Sequence, residues 1–171
     1  MIKVITKAVC DAGPIIHLDE LNCLDLLTDF QEIVVPRMVC EEIRRYRPSA
    51  LKGHDVSFTI LDQHIFPDEP LLAICRIFSL DRGEIEALTL MKKNPQAMFL
   101  TDDASARLVA EEMGFRVHGT IGILIRSVRR GQREPEEVDR ILSEIPLKST
   151  LYIKHLLLKE IKSKIKKEFD L

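Results

Sequence analysis

Five acidic residues stand where the chain could use them together. Asp11 closes the first apolar run, in Ala-Val-Cys-Asp-Ala-Gly-Pro. Glu42 lies early in a helical pattern that follows Val-Val-Pro, and Glu84 lies in Leu-Asp-Arg-Gly-Glu-Ile-Glu-Ala-Leu. Asp102 and Asp103 follow Met-Phe-Leu-Thr101. Carboxylates at strand ends and helix starts can meet at one edge of a parallel sheet. Two unit charges about 4 Å apart there would repel by roughly 4 kcal/mol at an effective dielectric of about 20. A divalent cation removes that repulsion, so convergence of these sites implies a metal centre.

The elements needed to bring them together are visible in the pattern. Short apolar runs at 4–10, 32–35, 97–101 and 116–118 read as strands, with 57–61 a further alternating candidate. Helical patterns occupy 22–30, 37–46, 69–79, 83–93, 103–113, 120–130 and 135–144. Pro36 suits a helix entrance, Gly114 and Gly131 suit helix ends, and Pro146 is expected beyond the last of these helices. Gly13-Pro14 turns the chain sharply from strand into helix. Strands alternating with helices predict an α/β fold, a parallel sheet covered on both faces. Such sheets bind ligands beyond the carboxyl ends of their strands, where Asp11 and Asp102 should sit. The stretch 149–169 carries an apolar stripe of Leu157, Ile161, Ile165 and Phe169. We therefore divide the chain into one domain at 1–148 and an amphipathic C-terminal helix at 149–171, packed on that domain or on a dimer partner.

Each acid also has a purely structural alternative. Asp11 could bond its own turn. Glu42, on the shoulder of the face defined by Val39, Ile43 and Tyr46, could pair with Arg45. Asp81 and Glu84 have the spacing of a capping box. Asp102 or Thr101 could cap the helix that follows, and two adjacent aspartates permit one cap and one ligand. Arg107 could reach a phosphate, or pair with Glu111 four residues on. His17 reads as a packing or surface histidine, and Thr120 as a helix cap.

Composition narrows the field. The 171 residues fit one domain, with 46% apolar and 30% charged residues. No apolar run is long enough to span a bilayer and no signal-peptide pattern opens the chain, so a cytoplasmic protein is expected. Cys10, Cys23, Cys40 and Cys75 contain no CxxC pair, which excludes a zinc ribbon and predicts reduced core thiols. The net charge of −2 gives no general signal for nucleic acid, although Arg126, Arg129, Arg130 and Arg133 form a basic run and the tail is rich in lysine.

In order, spacing and context these stretches together resemble the PIN domain, and within it the VapC-like toxins and their Gly-Glu relatives. The resemblance rests on Asp11-Ala-Gly-Pro-Ile-Ile-His-Leu, Val35-Pro-Arg-Met-Val-Cys-Glu-Glu-Ile43, Leu80-Asp-Arg-Gly-Glu-Ile-Glu-Ala-Leu88, Leu100-Thr-Asp-Asp-Ala-Ser-Ala-Arg107 and Val117-His-Gly-Thr-Ile-Gly-Ile-Leu124. It implies a three-layer α/β/α fold with a central parallel sheet and additional C-terminal helices. It further implies a metal-dependent ribonuclease that cuts single-stranded RNA. Asp11, Glu42, Glu84 and either Asp102 or Asp103 would hold one or two Mg²⁺ or Mn²⁺, with Thr101 and Arg107 on the substrate side. A VapB-like antitoxin and a homodimer are the partners it implies. The rival is a catalytically silent module on the same fold. A dinucleotide-binding reading fails because Asp-Ala-Gly-Pro replaces the glycine-rich turn after the first strand. A phospho-receiver would need a pair of acids at that strand's end, where Asp11 stands alone.

Overall fold

The computed structural model describes residues 6–52 and 55–169. Five strands form one all-parallel sheet in the order β3-β2-β1-β4-β5: β1 (Lys7–Cys10), β2 (Glu32–Val35), β3 (Phe58–Ile60), β4 (Met98–Leu100) and β5 (Arg116–His118). The strand order reverses between β1 and β4. That switch point opens a crevice at the carboxyl edge.

The strands alternate as a doubly covered sheet must. Ala8, Cys10, Ile33, Val35, Met98 and Leu100 face one core, shared with α1 (Ala12–Glu20), α2 (Arg37–Tyr46), α6 (Thr120–Arg129), α7 (Pro135–Lys148) and α8 (His155–Glu168). Val9, Val34 and Phe99 face the other, shared with α3 (Glu69–Ile77), α4 (Arg82–Lys93) and α5 (Ala104–Glu112). This is the expected three-layer α/β/α architecture. All four cysteines are free and buried, as expected of core thiols.

Most expected elements occur within about two residues of their predicted ends. Three differ. The helix placed at 22–30 is a 3-10 helix, Leu24–Asp29, and the full helix of that region is α1, directly after Asp11. Asn22 ends α1 at φ 55°, a left-handed conformation that asparagine tolerates. Cys23 N–H bonds Leu18 O at 2.7 Å and Asn22 N–H bonds Asp19 O at 3.1 Å, the Schellman pattern. Second, α7 runs through Pro146 to Lys148 rather than stopping before it. A proline in the last turn removes only one helical bond, and Ser149 N–H still reaches Ile145 O at 3.0 Å. Third, the tail is not helical from 149. Ser149 Oγ and the Thr150 N–H and Oγ1 all donate to the Glu20 carboxylate, and 149–154 are not helical before α8 starts. The first strand was expected from residue 4, and residues 4 and 5 lie outside the described residues.

The arginine run is structural. Arg126 and Arg130 clasp Asp29 at 2.6 and 2.9 Å, Arg133 pairs with Asp25 and Glu137, and Arg129 pairs with Glu168. These pairs tie α6 to the 3-10 helix and to α8, and the loop after α6 to the 3-10 helix and to α7. No helix among the described residues is long and apolar enough to cross a membrane.

Candidate acidic site at the sheet edge

Parallel topology sends the start of every helix that follows a strand to the carboxyl edge. α4, which runs down into β4, begins there as well. Asp11 therefore emerges from β1 beside Thr101, which emerges from β4, and Asp11 N–H extends the ladder to Leu100 O at 2.8 Å. Asp11 is only 7% exposed. Its Oδ1 accepts from Ala12 N–H at 2.8 Å, capping α1, and its Oδ2 accepts from the Thr101 hydroxyl at 3.0 Å. No lysine or arginine among the described residues bonds it. Burial foremost pushes its carboxyl up to about 7; the Ala12 and Thr101 donors oppose this, and the charges of Asp81 and Glu42 add to it.

Glu84 reaches the same region from α4. Asp81 accepts from Glu84 N–H at 2.9 Å while Glu84 Oε2 accepts from Asp81 N–H at 2.8 Å, so the expected capping box is formed. Burial pushes Glu84 up to about 8, with Asp81, Asp103 and Asp11 all repelling its charged form. Glu42 comes from α2, which packs against α4. A glycine permits that approach: a Cβ at Gly83 would lie 3.3 Å from Val39 Cγ2. Glu42 has no hydrogen bond or ion pair among the described residues, and Arg45 acts on it only through space. Burial and then Asp81 raise its carboxyl. Its alternative as an Arg45 salt bridge is thus not formed.

The Asp102–Asp103 pair divides its work. Asp103 caps α5, its Oδ1 accepting from Ala106 N–H at 2.8 Å, and it faces Glu84. Asp102 is taken up elsewhere: Thr120 N–H donates to Oδ1 at 2.7 Å, and Thr120 Oγ1 and His17 Nδ1 meet Oδ2 at 2.6 and 2.7 Å. It locks α1, β4 and α6 together. Thr120 is therefore an anchor for Asp102 rather than a cap, the cap of α6 being Gly119. His17 is more than a packing residue. Gly119 leaves space for this lock, since a Cβ there would lie 2.5 Å from Asp102 Oδ1 and 3.0 Å from Arg107 Nη2. Arg107 pairs with Glu111 at 3.6 Å, and its Nη2 also donates to Thr101 O at 3.3 Å.

Asp11, Glu42, Glu84, Asp103 and Asp81 thus act on one another's charge at this edge, while both oxygens of Asp102 are held by Thr120 and His17. Among the described residues, no three His, Cys, Asp or Glu side chains form a ready-made metal cage. One oxygen each of Glu84 and Asp103 is committed to a helix cap, which keeps the carboxylates apart. The donor chemistry nevertheless fits a hard divalent cation: the acids offer only oxygen, and among the described residues none of Asp11, Glu42, Glu84 and Asp103 forms an ion pair. Cys10 is no competing nucleophile, because burial and the charges of Asp11 and Asp102 push its thiol well above its ordinary value.

Two residues escape a reading of the sequence as site members. Asp81 reads as a cap, yet its charge acts on Asp11, Glu42 and Glu84. Glu86 is buried; its Oε2 accepts from Met38 N–H at 3.0 Å, capping α2 where Pro36 has no side-chain acceptor, and its Oε1 meets His64 Nδ1 at 2.8 Å. It holds the helix that carries Glu42. The signal was its place inside Glu-Ala-Leu-Thr-Leu-Met, where a buried carboxylate must have partners.

No curated protein matches the chain. A family model described as "DUF3368: PIN domain" matches residues 7–167, from the first residue of β1 to near the end of α8. PIN domains are generally nucleases. With the parallel five-stranded sheet, the acids at its switch point and a match that spans nearly its whole length, the chain belongs to the PIN-domain family.

Proposed function

We propose that the protein is a metal-dependent endoribonuclease that cuts single-stranded RNA. The observation that carries this reading is Asp11: a carboxylate buried at the switch point, repelled by neighbouring acids and without a cationic partner among the described residues. Asp11 is the central ligand for Mg²⁺ or Mn²⁺, with Glu42, Glu84 and Asp103 beside it. Asp103 is preferred to Asp102 because its Oδ2 is uncommitted and its charge acts on Glu84, whereas both oxygens of Asp102 are engaged. A bound ion of this kind polarises the phosphodiester and stabilises charge on the attacking and leaving oxygens. Thr101 fixes the Asp11 carboxylate through its hydroxyl, and Thr101 N–H and Arg107 hold the β4 end against β5 and α5. Arg107, which pairs with Glu111, is the residue we assign to a substrate phosphate.

The resemblance to VapC-like chains supports a cytoplasmic toxin of a toxin–antitoxin pair, blocked by a small VapB-like partner and acting as a homodimer. Cleavage of a single-stranded RNA oligonucleotide with Mn²⁺ is the test. Wild type should cut it and Asp11→Asn should not; equal cleavage by both would refute the assignment. The second reading is a catalytically silent module that binds RNA or protein. The commitment of Glu84 and Asp103 oxygens to helix caps favours it, and it predicts RNA bound intact by both proteins.

A further inference from the structure

Beside the acidic edge lies a cleft that the acids do not use. β3 is parallel to its neighbours, so the loop after Ile60 leaves the sheet at the same carboxyl edge as Asp11. The loop carries His64, Ile65, Phe66 and Pro67 over the start of α4 and encloses about 300 Å³, a volume at the small end of ligand sites. Phe66 is 77% exposed at its rim, which leaves its ring open to a stacking partner. Arg82 lines the same cleft. It follows Asp81, precedes Glu84 by two residues, and has no ion pair or hydrogen bond among the described residues. His64 is held through Nδ1 by buried Glu86, which leaves Nε2 for another partner.

The chemistry of these side chains selects the occupant. An exposed aromatic face stacks a base, and an unpaired guanidinium in a cleft otherwise lined by apolar side chains and the His64–Glu86 pair takes a phosphate. An imidazole nitrogen fixed in orientation can bond a base edge. An acidic peptide would satisfy Arg82 but offers no flat face to stack on Phe66. A neutral apolar peptide would leave Arg82 unused. We infer that this cleft is a nucleotide subsite: one base of single-stranded RNA stacks on Phe66 within reach of His64, and Arg82 holds its phosphate beside the acidic edge. The inference rests on the ribonuclease reading for its substrate class and supplies the residues that position that substrate.

The test measures binding apart from cleavage. The chain has no tryptophan, so Phe66→Trp introduces a single indole as a local reporter. In metal-free buffer, a single-stranded RNA oligonucleotide should quench that indole, and double-stranded RNA should quench it far less. By fluorescence anisotropy with labelled single-stranded RNA, Phe66→Ala should weaken binding roughly tenfold, on the scale of losing one base–aromatic stack. Arg82→Ala should weaken it and lower the salt slope by about one. Tyr152→Ala removes an exposed aromatic on the tail segment before α8 and should change nothing. Wild-type affinity in Phe66→Ala, an unquenched indole, or no RNA binding by wild type would each overturn the subsite. Failure of the nuclease reading looks different: RNA stays intact with Mn²⁺ while the Phe66 and Arg82 effects on binding persist.

Discussion

Two buried aspartates in this molecule have opposite surroundings. The Asp29 side chain is 9% exposed and lies between Arg126 and Arg130. Asp11 is about as buried and has one hydroxyl, one backbone N–H and, among the described residues, no cation. Taking a carboxylate out of water costs several kcal/mol unless charge and hydrogen bonds offset it. At Asp29 the protein supplies the charge, and the pair staples the 3-10 helix to α6. At Asp11 it supplies only orientation, and neighbouring acids make matters worse. A buried charge neutralised from within serves structure, whereas one left uncompensated at the switch point of a parallel sheet is arranged for a cation from outside.

Exchanging the two defects gives the sharpest contrast. Asp11→Asn should lower Mn²⁺-dependent cleavage by at least about a hundredfold, the scale of losing one well-placed electrostatic group, with circular dichroism unchanged. Asp29→Asn should leave kcat near wild type. It should instead destabilise the fold by about 2–3 kcal/mol in urea titration, below the full value for a buried pair because Arg130 is partly exposed. Similar cleavage losses in both variants would erase the distinction.

A smaller effect should come from Gly119→Ala. The added Cβ meets Asp102 and Arg107 side chains, and overpacking of this kind costs about 1–3 kcal/mol. Loss of activity without loss of stability there would mean that Asp102, not Asp103, serves the site.

The pH dependence should separate the two regions most gently. Asp11 and Glu84 rise on folding from 3.8 and 4.5 to about 7 and about 8. Their folded forms hold protons that the unfolded chain has lost. The stability they contribute is therefore full below their ordinary values and is lost as pH rises through about 7 and about 8. Metal-free protein should lose stability between about pH 5 and pH 8 by urea titration, and the Asp11→Asn, Glu84→Gln double variant should lose less.

Much of this was legible in the sequence because local signals agreed with the fold. The apolar runs ending at Cys10 and Leu100 gave the two strands at the switch point, and Asp-Arg-Gly-Glu gave the α4 cap. Less legible features depended on contacts between distant segments. Glu20 bonds Ser149 and Thr150 across the whole chain, so a continuous helical stripe could not reveal the non-helical start of the tail. Asp102 and Asp103 are neighbours of one type. Only the arrival of His17 and Thr120 from other elements distinguishes them. The arginine run read as an undecided basic patch because its partners, Asp25, Asp29 and Glu168, are remote in sequence.

The most direct test of the central claim is thermal unfolding of the metal-free protein at about pH 8, with and without millimolar Mn²⁺, in wild type and Asp11→Asn. A ligand that binds only the folded state raises the midpoint in proportion to its affinity. Mn²⁺ should raise the wild-type midpoint and leave that of Asp11→Asn nearly unmoved. An equal rise in both, or none in wild type, would contradict a cation site built on Asp11.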